Sequence, residues 1–187
     1  GAEVMQVKIV NKGKDARKIS VTPAIPLYGR SADNLRDHRH VTSLLHRIKT
    51  SENGVICKPV LSFDERGHQK NNMIYYVAGS TENGENPVSF FPTVASFIGE
   101  SGTFLAPEAL AKNQKGCGAG KEFAGEEALG AMTFAEIMLA PGQAQEYIVV
   151  SGMTESEEEI TRTAEAFHTK EQADVAFIKA KEYWNGL

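Results

Sequence analysis

The sequence predicts a mainly β protein, an antiparallel β-sandwich followed by C-terminal helices. Three observations support this fold class. Short apolar segments separated by turn-forming residues fill the first 150 positions, helical periodicity is missing between them, and two helix-capping signals follow residue 153. Consecutive strands without intervening helices favour antiparallel sheets. The length of 187 residues, with 41% hydrophobic and 24% charged side chains, is typical of one globular domain.

The first predicted element is a β-hairpin. Residues 5–10 alternate apolar and polar side chains, which indicates a strand with one buried face. Residues 11–15 contain asparagine and glycine, which tolerate the backbone conformations of tight turns. Residues 17–21 then provide a returning strand, so these two strands are predicted to pair with each other.

Further strands are expected wherever an apolar run lies between two turn signals. The turn signals combine Asn, Asp, Gly and Pro, as at residues 52–54, 64–67, 82–84 and 141–142. The predicted strands cover residues 41–48, 55–63, 73–78, 88–91, 132–139 and 147–150. Their number and shortness predict a sandwich.

Two helices are predicted at the C-terminal end. Thr154 is followed three residues later by Glu157, and Thr169 by Gln172. At this spacing the side chains of a capping box satisfy the free N–H groups at the start of a helix. The chain is therefore divided into a sandwich domain, residues 1–152, and a helical segment, residues 153–187.

Charge and composition exclude several classes of protein. The net charge of −4 comes from the helical end, where residues 151–187 hold eight acidic and four basic side chains. Nucleic acid is not expected as a partner, because the chain has no excess of basic side chains to neutralise the phosphates. No apolar run approaches the roughly 20 residues of a membrane-spanning helix, so no membrane partner is expected. Cys57 and Cys117 lack the spacing of a metal or redox motif, which indicates a reducing, cytoplasmic compartment.

A glycine-rich segment, residues 112–127, invites comparison with a phosphate-binding loop. Gly116 and Gly120 enclose three residues instead of four, and Lys121 is followed by glutamate instead of serine or threonine. We therefore expect a surface loop without a nucleotide.

The densest group of polar side chains lies between residues 28 and 47. Arginine, aspartate and asparagine suit sugar hydroxyl groups, and aromatic rings cover the apolar face of a sugar. The same residue types also suit an internal network of ion pairs that holds a long loop. A metal site on His38 and His40 is a weaker alternative, because no third ligand has a recognisable spacing.

A second polar group lies in the predicted turn after residue 63. Asp64, Glu65 and His68 are suitable for acid–base chemistry. Such residues in a turn between strands are more commonly solvated, so this group alone is weak evidence for a site.

Several stretches resemble glycoside hydrolase family 94, formerly glycosyltransferase family 36, which includes cellobiose and β-oligoglucan phosphorylases. The more specific stretches are Leu-Tyr-Gly-Arg-Ser-Ala-Asp-Asn-Leu-Arg-Asp-His-Arg-His at residues 27–40 and Phe-Asp-Glu-Arg-Gly-His at residues 63–68. Residues 11–19, 137–150 and the Tyr-Trp-Asn at 183–185 also fit.

The resemblance implies the galactose-mutarotase-like supersandwich domain of such an enzyme. In the family, linker helices and an (α/α)6 barrel follow, and the barrel carries the aspartic acid that protonates the glycosidic oxygen. This chain matches only the sandwich and the start of the linker, so it is expected to be non-catalytic and without a cofactor. Inorganic phosphate would be a co-substrate of the parent enzyme.

The resemblance also implies partners and contact residues. The partners are the enzyme's own C-terminal catalytic barrel, a β-glucan or oligosaccharide substrate and, in the full-length protein, a second copy in a homodimer. The candidate substrate-binding residues are Arg30, Asp33, Asn34, Arg36, Asp37, His38, His40, Glu65, Arg66 and His68.

Three functions therefore remain open. The first is a non-catalytic sandwich domain of an enzyme that phosphorolyses β-glucosides to a sugar 1-phosphate. The second is a free-standing carbohydrate-binding module. The third is a mutarotase-like aldose epimerase that uses His38 or His40 with Glu65.

Overall fold

The computed structural model describes residues 1–29, 42–64 and 67–186, and it confirms the mainly β fold with C-terminal helices. The strands are β1 (Ala2–Val10), β2 (Arg17–Ile19), β3 (Ala24–Pro26), β4 (His46–Thr50), β5 (Gly54–Pro59), β6 (Leu61–Asp64), β7 (Gly67–Lys70), β8 (Ile74–Thr81), β9 (Ser89–Thr93), β10 (Glu122–Ala124), β11 (Ala128–Thr133), β12 (Ile137–Leu139) and β13 (Ala144–Thr154). The helices are α1 (Val94–Ile98), α2 (Glu108–Ala111), α3 (Glu157–Ala166) and α4 (Lys170–Asn185).

The strands form a large antiparallel sheet and a smaller one that packs against it. The large sheet has six strands in the order β1-β13-β8-β5-β4-β10, and the small sheet has the order β3-β11-β9. Two-stranded ribbons, β2 with β12 and β6 with β7, complete the pairing. The main hydrophobic core lies between the large and small sheets.

The large sheet is covered on both faces. Along β13, Tyr147 and Val149 point into the core between the sheets, whereas Ile148 and Val150 point to the opposite face. This alternation follows from the period of two along a strand. An uninterrupted apolar run is typical of a strand buried on both sides.

Helices α3 and α4 cover the second face of the large sheet. Ile160 of α3 and Ala173 of α4 are buried against the strands, and Phe167 between the helices packs beside them. The predicted capping box of α4 is confirmed, since Thr169 and Gln172 cap each other's backbone N–H groups. None of the described helices is long and apolar enough to cross a membrane.

The predicted N-terminal hairpin is wrong. β1 pairs with β13, and β2 pairs with β12. The reason is Asn11, which is buried where the turn was expected and whose side-chain amide donates to the carbonyls of Asp15 (2.9 Å) and Leu139 (2.8 Å). These bonds hold the chain beside β12, so β2 does not return along β1.

Three other predicted strands are divided or start later than expected, whereas β8 and β13 are longer than the predicted runs 73–78 and 147–150. The run 55–63 is divided into β5 and β6 after Pro59, because proline cannot donate to a strand ladder. The run 132–139 is divided between β11 and β12, and the strand predicted from residue 41 begins only at His46.

The helical predictions also need corrections. The cap of α3 is Ser156, while the Thr154 hydroxyl bonds the Glu159 carboxylate and accepts the N–H of Ser156. Helices α1 and α2 interrupt a region that was predicted to lack helices.

The glycine-rich segment is more than a surface loop, because it contributes β10 to the large sheet.

Candidate functional site

Nearly all of the predicted substrate-binding residues lie outside the described residues. This holds for Arg30, Asp33, Asn34, Arg36, Asp37, His38, His40, Glu65 and Arg66. The exception is His68, which lies in β7 with its backbone opposite Phe63. The structure therefore does not test whether these residues come together, and the metal and epimerase alternatives on His38 and His40 stay predictions.

The two ends of the 30–41 segment nevertheless meet at one place. On one side, the backbone N–H of Leu27 donates to the Ala128 carbonyl (3.1 Å), which fixes the chain just before residues 28 and 29. On the other side, residues 42 and 43 are helical, and residues 44 and 45 form the turn that leads into β4. Both ends line a small pocket, which we call the anchor pocket: Leu27, Tyr28, Gly29, Thr42, Ser43, His46, Val94, Phe104, Glu127 and Ala128.

His46 is the central polar group of the anchor pocket. Its side chain is only 4% exposed, and its Nδ1 lies 3.1 Å from the carbonyl oxygen of Glu126. Because a carbonyl oxygen only accepts, Nδ1 carries the hydrogen and Nε2 is left as an acceptor. Nε2 lies beside the backbone of Gly29, which helps to offset the lowering of the His46 pKa by burial, but it makes no hydrogen bond of good geometry among the described residues.

Burial and the neighbouring polar groups have opposite effects on the pKa of His46. Burial lowers the pKa of His46 below its ordinary value, while the Glu126 carbonyl and the Glu127 charge partly offset this effect. A side chain at Gly29 would crowd the ring, since a Cβ at this position would lie 3.0 Å from Pro59 Cγ and 3.2 Å from His46 Nε2. The buried imidazole of His46 therefore packs against Gly29, next to the start of the segment, and residues 42 and 43 at its other end line the same pocket.

The anchor pocket is too small to hold a sugar. Its volume is about 20 Å³, which is room for about one water molecule. Ligand sites usually have volumes of roughly 300–1,000 Å³. The described part of the pocket therefore holds the polar segment in place, and any sugar contact belongs to the segment itself or to the surface nearby.

A larger groove of about 410 Å³ runs between the large sheet and α3. Asn53, Asn86, Glu165 and His168 are among the hydrogen-bonding side chains that line it. None of its described lining residues is a phenylalanine, tyrosine or tryptophan, so it lacks the large ring that usually stacks on a sugar. The groove can hydrogen-bond a polar ligand, but it is not built like a pyranose site.

The described residues were searched for metal-ligand groups and for activated thiols. No three His, Cys, Asp or Glu side chains within them are placed to share a metal ion. Burial raises the pKa of Cys57 to about 12 and also raises the pKa of Cys117, so neither thiol is activated as a nucleophile.

Sequence reasoning missed His46 as the organising residue of this region. His46 lies within the polar region of residues 28–47 but is not among the predicted substrate-binding residues. The signal was present in β4, where His46 is in phase with the buried Ile48 and Thr50. That alternation places the imidazole on the core side of the sheet.

Comparison with known proteins gives the family directly. No curated protein matches the chain. The sequence profile described as glycosyl hydrolase 94, supersandwich domain, matches residues 1–170. This match covers all strands of the sandwich and α3, and it ends where α4 begins. The chain therefore belongs to glycosyl hydrolase family 94, and residues 1–170 are the supersandwich domain of that family.

Proposed function

We propose that this chain is the non-catalytic sandwich domain of a cytoplasmic glycoside phosphorylase that converts β-glucosides to a sugar 1-phosphate, with inorganic phosphate as co-substrate. The family match over residues 1–170 is the observation that carries this proposal. It is consistent with the chemistry of the described residues, in which no three side chains are placed to share a metal ion and burial raises the pKa of both thiols.

In this proposal the domain supports a separate catalytic barrel through α4. The first turns of α4 lie on the sheet, but its second half leaves large apolar side chains in solvent. Ile178 is 57% exposed, Tyr183 64% and Trp184 71%. Exposed apolar groups of this size mark interaction surfaces, and a helix that leads out of the sandwich toward the barrel would bury them.

The polar segment from Arg30 to His40 would lie at the rim of the sugar site. The anchor pocket supports this role, because it fixes both ends of the segment on the sandwich. Arginine and carboxylate groups held on such a loop would then bind the hydroxyl groups of a β-glucan.

Trp184 provides a direct test, because it is the only tryptophan of the chain. Adding the separately produced catalytic barrel should shift the Trp184 emission to shorter wavelength as the indole leaves water. Tyr183→Ala should weaken the association at least tenfold. Val88→Ala, at an equally exposed position outside α4, is the matched control and should leave it unchanged.

Activity and binding assays separate the three functions. The chain alone should neither mutarotate glucose nor consume phosphate with β-glucan oligosaccharides. Mutarotation that disappears in His38→Ala or His40→Ala would instead establish the epimerase. Calorimetry that shows millimolar or tighter β-glucan binding by the chain alone would establish the free-standing binding module.

A further inference from the structure

Part of the helix face of the large sheet carries basic side chains that remain exposed. Helix α3 packs mainly against β8 and β13, whereas β5, β4 and β10 continue the sheet beyond it. Ile56 of β5 packs with the residues beneath the helices, so Lys58, two positions later, projects from the same face. Arg47 of β4 lies directly opposite Lys58 and shares this face, whereas its neighbour His46 points to the other face, toward the anchor pocket.

Arg47 and Lys58 form a like-charged pair across two strands, an arrangement that destabilises a sheet. The charge of Lys58 is balanced, because its Nζ lies 2.7 Å from the Glu157 carboxylate. Arg47 has no acidic partner among the described residues, and its Nη1 donates to the carbonyl oxygens of His46 (2.9 Å) and Leu44 (3.4 Å). These bonds hold the guanidinium group in place without neutralising its charge.

A groove of about 570 Å³, which we call the basic groove, runs from Arg47 and Lys58 to the end of β7. Lys70 supplies a third cation there, and within the described ranges it too lacks a carboxylate partner. Asn71 and Asn72 add side-chain amides. The Asn71 side-chain oxygen accepts the backbone N–H of residue 73 (2.8 Å), so its NH2 group is left to donate to a ligand.

The lining of the basic groove has more positive than negative charge. Glu155 is the one carboxylate among its described lining residues. Even when Glu157 beside Lys58 is included, three cations face two carboxylates. A neutral sugar would leave this charge unbalanced. A phosphate group carries up to about two negative charges at neutral pH, and its oxygens accept the bonds that guanidinium, ammonium and amide groups donate.

We propose that the basic groove binds a phosphorylated small molecule, with the phosphate group held by Arg47 and Lys70. The volume is within the usual range for small-molecule sites and leaves room for an organic group beside the phosphate. Inorganic phosphate offers the same chemistry without that group, so the experiment compares the two. The proposal does not depend on the proposed catalytic function, and its failure would leave that function unaffected.

Titrations of the 187-residue chain with inorganic phosphate, glucose 1-phosphate and glucose test the proposal. Amide NMR at constant ionic strength should show saturable shifts at residues 70–72 with at least one phosphate compound, at millimolar concentration or below. Glucose should cause no shifts there, and the Gly29 amide at the anchor pocket should not move. Binding of inorganic phosphate would show that the phosphate group suffices, and binding of glucose 1-phosphate alone would assign a sugar phosphate. Saturable binding of neither compound, or equal shifts with glucose, would overturn the proposal.

Substitutions show whether the binding belongs to the basic groove. Arg47→Gln and Lys70→Gln should each weaken it at least tenfold, with unchanged circular dichroism spectra. Lys12→Gln is the matched control: it removes the same charge from an exposed position after β1, which lies four strands from β4 in the large sheet, and should change the affinity less than twofold. Lys70 is exposed, so Lys70→Gln gives an answer even if Arg47→Gln does not fold. Equal weakening in Lys70→Gln and Lys12→Gln, or none in either, would overturn the proposal.

Discussion

The two faces of the large sheet are buried by different means. On the sandwich face, β4, β5, β8 and β13 meet the small sheet, and side chains such as Val55, Met132 and Tyr147 are at most 1% exposed. On the helix face, the same strands meet two helices that contribute few buried side chains, namely Ile160, Ala164 and Ala173. The sheet therefore has a broad core on one side and a narrow one on the other.

The helix layer compensates for its narrow core with polar contacts. Glu146 of β13 binds Lys170 of α4 (3.1 Å) and Lys8 of β1 (3.3 Å). Nearby, the Ser80 hydroxyl donates to the carbonyl of His168 between the helices (2.7 Å). Because local stability follows the amount of buried apolar contact, the helix layer should open before the sandwich does.

The largest expected effect comes from the sandwich core. Phe134 is 1% exposed, and its ring centroid lies 4.8 Å from that of Tyr147. Phe134→Ala removes this packing and leaves a cavity, so we expect a loss of about 3–5 kcal/mol in the free energy of unfolding. Urea denaturation followed by circular dichroism measures it. Phe104→Ala, at a 43% exposed phenylalanine, is the matched control and should cost less than half as much.

A smaller and more local effect is expected in the helix layer. Ile160→Ala should lower the free energy of unfolding by about 2 kcal/mol, because Ile160 is buried but α3 can move to fill the space. Hydrogen exchange should become faster in α3 and α4 while β5 and β8 stay protected. Ile178→Ala, at an exposed isoleucine of the same layer, should change neither measurement. Uniformly faster exchange in strands and helices would show that the two faces unfold as one unit.

Sequence reasoning predicted the parts of the fold that depend on local patterns and missed those that depend on pairing between distant segments. The position of β1 follows from local alternation, those of β8 and β13 follow from apolar runs between turn signals, and the cap at Thr169 follows from a four-residue motif. Pairing is not local: β1 and β13 lie more than 130 residues apart, and the buried amide of Asn11 that redirects β2 gives no signal in a turn-like segment.

The candidate site was predictable only in part. The polar character of residues 30–40 is visible in the sequence, and the structure adds that the two ends of this segment meet at His46. The role of Gly29 was not predictable, because it depends on the approach of His46 and Pro59 from other parts of the chain. Such close contacts between distant segments exist only in the folded chain.

The smallest expected effect lies in the polar contacts that hold the helix layer. Hydrogen bonds from Lys170 and Lys8 lower the pKa of Glu146 below its ordinary value of 4.5. The ionised carboxylate therefore stabilises the fold above that pH, and this contribution is lost as the pH falls through the lowered folded-state pKa. Glu146→Gln should cost at most ~1 kcal/mol at neutral pH and should make acid unfolding less steep. Glu136→Gln, which breaks an exposed ion pair with Lys18, is the control. An equal response of the two variants in pH-dependent urea titrations would mean that Glu146 does not help to hold α4 on the sheet.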